Sequence, residues 1–347
     1  MLVVRAIQKS DLDGLMYLAT QVGDGMTTLK PDTAMLSNRI SVACDSFAEK
    51  IPPEQRDYLF VLEDTANGKI VGVSAIKSAV GLDEPFYNYR IGTLVHSSKE
   101  LNVYSRMDTL YLSNDLTGCA ELCSLFLHPD YRTGNNGKLL SKCRFLFIAQ
   151  FPHLFSEKLI AELRGFQHPD GSSPFWDSLG RHFFKMDFNR ADDLSSLGKK
   201  SFIAELMPRH PLYVAYLPKE AQEVIGQVHV ATVPARRLLE QEGMYYEGFV
   251  DIFDAGPVLQ ARVNELRAMR TSELVEVADA NGSHVVAGAA AISSPMLVAN
   301  TSIQNYRIIV SEMAPENGKI QLTAEERHSL QCTMNSLVRT MNLNLNK

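Results

Sequence analysis

Glu121 to Leu140, ELCSLFLHPDYRTGNNGKLL, decides how the rest of this chain is read. Apolar residues run to Leu127, and a short turn rich in glycine and asparagine follows. Apolar residues then return at helical spacing as Leu139, Leu140, Cys143 and Phe147. The pattern predicts a buried strand over 119–127, a loop over 128–137 and a helix over 138–150. A helix start leaves backbone N–H groups unpaired and carries the positive end of the helix dipole, so this turn is suited to a phosphate. Gly134 and Gly137 let the backbone approach a ligand closely, while Asn135 and Asn136 tolerate left-handed geometry. Arg132 and Lys138 bring positive charge beside the turn. The glycine–lysine–hydroxyl ending of a P-loop is missing, and so is a Gly-x-Gly-x-x-Gly with a later acid, which disfavours nucleotide and dinucleotide folds. A strand–turn–helix with no ligand is the plain alternative for such a turn taken alone.

Upstream, Leu2 to Ile7 reads as a strand, and Ser10 with Asp13 as a weak capping box before a helix carrying Leu12, Leu15, Met16 and Leu18. A second helix is predicted over 33–49, ended by Pro52 and Pro53. Tyr58–Leu62 and Ile70–Ile76 form a hairpin turning at Asn67–Gly68, a pair suited to two positive φ angles. Residues 81–118 mix aromatic and polar side chains, and the stretch is too long for an ordinary connection. It is a functional insertion or unrecognised structure. Downstream, 159–163 is a strand, and 174–188 and 234–253 each read as helix plus strand. Residues 267–347 are expected to form a small β-rich region. It has hairpin-like turns at Asn281–Gly282 and Asn317–Gly318, and a short helix capped by Thr323 and Glu326.

Composition narrows the function classes. The 347 residues carry a formal charge of −6, so a broad electrostatic grip on nucleic acid or anionic lipid is not expected. The longest apolar run, Val285 to Ile292, is short against the roughly 20 residues that span a bilayer. Five cysteines with no CxxC pair argue against a zinc site or disulfide framework. A soluble, cytoplasmic protein is the expectation, with no metal and no permanently bound cofactor.

The element order resembles the GNAT N-acyltransferase family: an α/β (α+β) fold on a mixed central sheet. In that family the turn reads Arg/Gln-x-x-Gly-x-Gly/Ala and holds the pyrophosphate of an acyl-coenzyme A. Here Asn135 stands where the first of those glycines is expected, and Gly134 lies one place earlier. Both 174–188 and 234–253 match the family's last common helix and strand, and the sequence leaves the choice open.

A closer resemblance spans nearly the whole chain. VGLDEPFYNYRIGTLVHSSKELNVY (80–104), LYLSNDLTG (110–118), SPFWDSLGRHFFKMDF (173–188), FIAELMPRHP (202–211), EAQEVIGQVH (220–229) and FVDIFDAGP (249–257), together with the opening stretch, resemble the arginine N-succinyltransferase family. The resemblance implies an acyltransferase region over 1–266 with an insertion at about 81–118, followed by the β-rich region at 267–347. It implies succinyl-coenzyme A as co-substrate, bound at Leu125, Arg132, Gly134, Asn135, Asn136, Gly137 and Lys138, with L-arginine as acceptor. It also implies His229 as proton donor, in a loop setting where a pKa near 6.5 suits proton exchange. Arginine's cationic groups call for acids, for which Asp115, Glu121, Glu162 and Asp254 are candidates, with Asn88 or Arg90 for its carboxylate. Arg90, Lys99 and Arg181 are open candidates for the extra carboxylate of the succinyl group. A rival reading keeps the fold and takes ornithine or another cationic amino acid as acceptor. Another is a coenzyme A sensor without turnover. A homodimer is the expected assembly.

Overall fold

The computed structural model describes residues 1–22, 26, 28–188, 190–191, 194, 201–208, 210–279 and 294–344. The strands are β1 (Leu2–Ala6), β2 (Asp57–Asp64), β3 (Lys69–Lys77), β4 (Asn88–Ser98), β5 (Val103–Ser113), β6 (Ala120–Leu127), β7 (Lys158–Glu162) and β8 (Leu212–Tyr213). They continue as β9 (Tyr245–Asp251), β10 (Pro257–Arg262), β11 (Glu273–Asp279), β12 (Met296–Asn300), β13 (Arg307–Ser311), β14 (Lys319–Leu322) and β15 (Leu337–Asn342). Among the described residues they form one mixed sheet in the order β14-β11-β15-β12-β13-β1-β2-β3-β6-β7-β10-β9-β4-β5-β8. The parallel neighbours are β6–β7 and β11–β14.

Strand alternation sends side chains to two faces. Leu59, Val61, Val73 and Ala75 pack under α1 (Leu12–Gln21) and α2 (Thr33–Phe47). Tyr58, Phe60, Leu62, Leu159 and Ala161 pack on the other face with α3 (Asn136–Gln150). The predicted α3 stripe is only part of what is buried: every residue from Leu139 to Ala149 is inside. The reason is a cover on its far side, where chain from beyond residue 266 returns and Lys142 donates to the Leu343 carbonyl at 3.1 Å. Phe147 sits among Phe47, Tyr58, Phe60 and Tyr306 at ring separations of 4.9–5.9 Å. A buried aromatic of this kind is worth about 1.5–3 kcal/mol.

Several expectations change. Within 81–118, residues 88–113 are unrecognised structure, the second of the two alternatives: a long hairpin with β4 and β5 in register from Asn88↔Ser113 to Ser98↔Val103. Only its base joins the sheet, through Asn88–Arg90 on β9 and Thr109–Leu110 on β8. Its outer part meets water on both faces, so no apolar alternation marks it. The 174–188 passage forms two short helices, Pro174–Ser178 and Gly180–Phe184, whose Trp176 core packs against the base of that hairpin. The last common helix and strand are therefore Val233–Gln241, which lies against α3, and β9. At the β2–β3 turn only Gly68 takes positive φ, and it closes a wider loop on the Asp64 carbonyl. The first capping box is Gln8 with Asp11, two residues earlier than expected. Asn317 and Gly318 do form a turn, but β14 leaves it to pair with β11 in parallel. Asn281–Gly282 and the run Val285–Ile292 lie outside the described residues. The strands beyond residue 266 extend the same sheet through β13, with Val4↔Ile308 and Arg5↔Arg307.

Candidate active site

Two features open the centre of the sheet. First, β6 carries a bulge. Its register on β3 shifts between Val73↔Phe126 and Ala75↔Cys123, and Ser124 takes φ 54°. An extra residue in one strand leaves backbone groups outside the ladder, and here these lie around Ser124 and Leu125. Arg144 of α3, buried and without a carboxylate partner among the described residues, donates to the Cys123 carbonyl at 3.4 Å and to Ser141. Ser124 donates to Thr28 at 2.9 Å on the approach to α2. The Leu125 side chain is packed against the core, which leaves its backbone as the part available at the bulge.

Second, β6 and β7 pair only at Ala120↔Leu159 and Glu121↔Ile160 and then diverge. The result is a wedge beside the bulge. At its far end α3 begins on Asn135, with no side chain capping its free N–H groups. A Cβ on Gly134, at φ +54°, would meet nothing within 4 Å, and one on Gly137 would only touch Leu127. The turn is thus open to a ligand on its glycine side. Its two cations sit elsewhere: Lys138 donates to Asn344 at 2.6 Å, and Arg132 folds back onto the Leu127 carbonyl at 3.0 Å.

His229 lies at the wedge. Leu163 donates its N–H to Pro257 beside β10, so strand alternation turns the Arg164 carbonyl to the opposite edge, the one β6 has left. That carbonyl accepts the His229 N–H at 2.9 Å. The ring Nδ1 accepts from the Ala231 N–H at 3.2 Å, which assigns the neutral ring's proton to Nε2. Nε2 has no partner among the described residues. Burial and the Arg164 charge hold its pKa below the ordinary histidine value.

The face of the sheet under α1 and α2 carries charge next to the wedge. Asp57, Lys77 and Glu121 are paired in register across β2, β3 and β6, and Arg39 clamps Asp57 at 2.8 Å. Burial lowers the Lys77 ammonium's pKa, but Glu121, Cys123 and Asp57 outweigh it and the net shift is upward. Two residues beyond Ile160 on that face, Glu162 accepts from Asn88 Nδ2 at 2.9 Å. The buried Asn88 Oδ1 has no hydrogen-bond partner among the described residues.

The remaining candidates separate from this group. Arg90 and Asp115 face each other at 3.3 Å, both exposed. Asp254 accepts the Gly165 and Gly256 N–H groups and shapes the turn after β9. Lys99 is in the exposed tip of the hairpin arm, and Arg181 pairs with Asp177 and Asp187. The sequence reading missed Arg164, which only the His229 hydrogen bond brings into the site.

A bulged strand, a parallel partner that splays from it and an uncapped helix start define an acyl-coenzyme A-dependent N-acyltransferase of the GNAT-like fold. The family model described as arginine N-succinyltransferase beta subunit matches residues 2–268. Relatives named arginine N-succinyltransferase from Escherichia coli (strain 55989 / EAEC) and Shigella flexneri serotype 5b are 48% identical over 343 residues, 99% of this chain and 98% of theirs. The solved structure of arginine/ornithine succinyltransferase subunit AI from Pseudomonas aeruginosa is 34% identical, with a TM-score of 0.89 over 99% of both chains. The chain belongs to the arginine N-succinyltransferase family.

Proposed function

We propose that this chain transfers the succinyl group of succinyl-coenzyme A to the α-amine of L-arginine, giving N2-succinyl-L-arginine and coenzyme A. Support comes first from the relatives, which carry that name over their full length. The single structural observation that carries the reading is the wedge between β6 and β7, with the bulge at Leu125 on one side and His229 on the other.

The pantetheine arm runs along the wedge, and its diphosphate rests on the N–H groups of Gly134 to Lys138. The backbone at Leu125 hydrogen-bonds the thioester carbonyl and stabilises the charge that grows on it during attack. The neutral amine adds to that carbonyl and forms a tetrahedral adduct with a positively charged nitrogen. As the C–S bond breaks, His229 Nε2 gives its proton to sulfur and takes one from the adduct nitrogen. The ring ends neutral, as it began. Glu162, oriented by Asn88, faces the acceptor's cationic end. Asp115 and Arg90 answer each other.

The test is thiol release from succinyl-coenzyme A with L-arginine, L-ornithine, L-lysine or no acceptor, repeated with acetyl-coenzyme A. Strong release is expected only with the succinyl donor and arginine. The name of the Pseudomonas aeruginosa structure joins arginine and ornithine, so the ornithine arm carries the second reading. No release above the acceptor-free control, from folded protein that binds coenzyme A, overturns both.

The donor is an intracellular metabolite, which makes the cytoplasm the expected compartment. The assembly we expect is a homodimer: the hairpin arm exposes Val95, Leu101, Val103 and Tyr104, an apolar set suited to a second copy. Sedimentation of the full chain checks this, and a monomer at working concentration contradicts it.

A further inference from the structure

We infer that Arg164, held by Gln167, is the carboxylate receptor of this site. The inference rests on the reaction proposed above and adds to it the residue that reads a substrate's negative charge. Arg164 lies two residues past the end of β7, where continued alternation puts it on the side of Ile160 and Glu162, and its own carbonyl anchors His229. Its charge is therefore beside the reacting atoms.

The hydrogen bonding of this arginine is incomplete in a particular way. Its Nε and Nη2 both donate to Gln167 Oε1, and it has no carboxylate partner among the described residues. Gln167 is 6% exposed, and with Oε1 committed to the guanidinium its Nε2 is buried with no hydrogen-bond partner among the described residues. A neutral amide oxygen fixes the guanidinium in place and leaves its charge intact. Among the described residues, Gln167 Nε2 is then left buried without an acceptor, and the half-buried Arg164 keeps its Nη1 uncommitted beside it. Buried donors are nearly always paired, so a missing acceptor at such a place points to a ligand. The acceptor that matches a guanidinium and an amide together is a carboxylate.

Both substrates carry one: the donor at the end of its succinyl chain, the acceptor beside its amine. Separate arms of the experiment distinguish them. Affinities of the full chain and of Arg164→Gln are measured for succinyl-coenzyme A against acetyl-coenzyme A. With coenzyme A present, they are then measured for L-arginine against agmatine, which lacks the carboxylate. Arg164→Gln is expected to weaken one carboxylate-bearing substrate by about 10–100-fold, the loss typical of a charge-assisted hydrogen bond, and to leave its carboxylate-free analogue within about twofold. A loss confined to succinyl-coenzyme A assigns the donor's carboxylate, and one confined to arginine assigns the acceptor's. Arg164→Lys is expected to recover part of the loss, having the charge without the planar fork. Gln167→Glu places a competing carboxylate on the guanidinium and is expected to weaken the same substrate with Arg164 still present. Equal losses on both members of each pair, or no loss at all, overturn the inference. Absence of thiol release by the unaltered chain would instead remove the proposed reaction, and the affinity comparison would still test the receptor.

Discussion

In the proposed reaction the two ring nitrogens of His229 have different parts. The Ala231 amide holds Nδ1 as an acceptor and so keeps the ring proton on Nε2. Replacing it by alanine is expected to lower kcat by about 10²–10⁴-fold, the range for loss of a positioned proton-transfer group. Coenzyme A affinity should stay within about threefold, as calorimetry would show, and a comparable loss of affinity would mean that the residue binds the cofactor portion. The pH profile has a defined sign. Burial and Arg164 depress the pKa, so the ring is neutral at pH 7, and activity falls only as pH drops through a value below about 6.5. Protonation there puts a hydrogen on Nδ1 and breaks its bond to Ala231. An acid limb centred above 6.5 would contradict this account. His229 was a candidate in the sequence through its Gly-Gln-Val-His setting. Arg164 was not, since a single cation after a strand looks like any surface arginine until a distant segment docks on its carbonyl.

The strand, turn and helix of 120–150 depend on two backbone distortions of opposite visibility. The turn could be read from composition, because glycine and asparagine mark positions where ordinary residues resist the required φ. Gly134 is such a position at φ +54°, and with no atom within 4 Å its side the cost of a side chain there is conformational. Gly134→Val is expected to strain the turn by about 1–2 kcal/mol and to weaken coenzyme A binding about tenfold or more. Calorimetry with coenzyme A checks this, and unchanged affinity would place the diphosphate elsewhere. The bulge has no compositional mark. Ser124 is the one polar residue in the run Leu122–Leu127, a commonplace in strands, and the extra residue shows only in the register of β6 on β3. Ser124→Val, β-branched at φ 54°, is expected to cut kcat/KM sharply while Ser124→Gly is tolerated, because only glycine adopts that conformation freely. Equal activity in both variants would show that the bulge is not needed. The β4–β5 hairpin was hidden for a different reason: two wet faces remove the alternation by which strands are recognised.

Across the whole molecule, a buried charge cluster ties the acyltransferase region to the chain beyond residue 266. Glu242, with no exposed surface, binds Lys142 of α3 at 2.9 Å and Arg267 at 2.7 Å. Those two cations then donate to the carbonyls of Leu343 and Asn342 at the end of β15. Glu242→Gln leaves two buried cations without their anion and is expected to cost about 3–5 kcal/mol in denaturant unfolding. A change under about 1 kcal/mol would show that the cluster does not hold the C-terminal strands in place. This long-range tie explains why α3 looks one-sided in sequence and is buried all round. Its second face is supplied by chain some two hundred positions later, which no local periodicity reports. The most direct test of the account as a whole is a crystal structure with L-arginine and a non-reactive succinyl-coenzyme A analogue. We predict the pantetheine between β6 and β7, the acyl carbonyl within about 2.7–3.2 Å of a backbone N–H at Leu125, and the sulfur position facing His229 Nε2. An acyl chain bound outside that wedge, or His229 turned away from the sulfur, would contradict it.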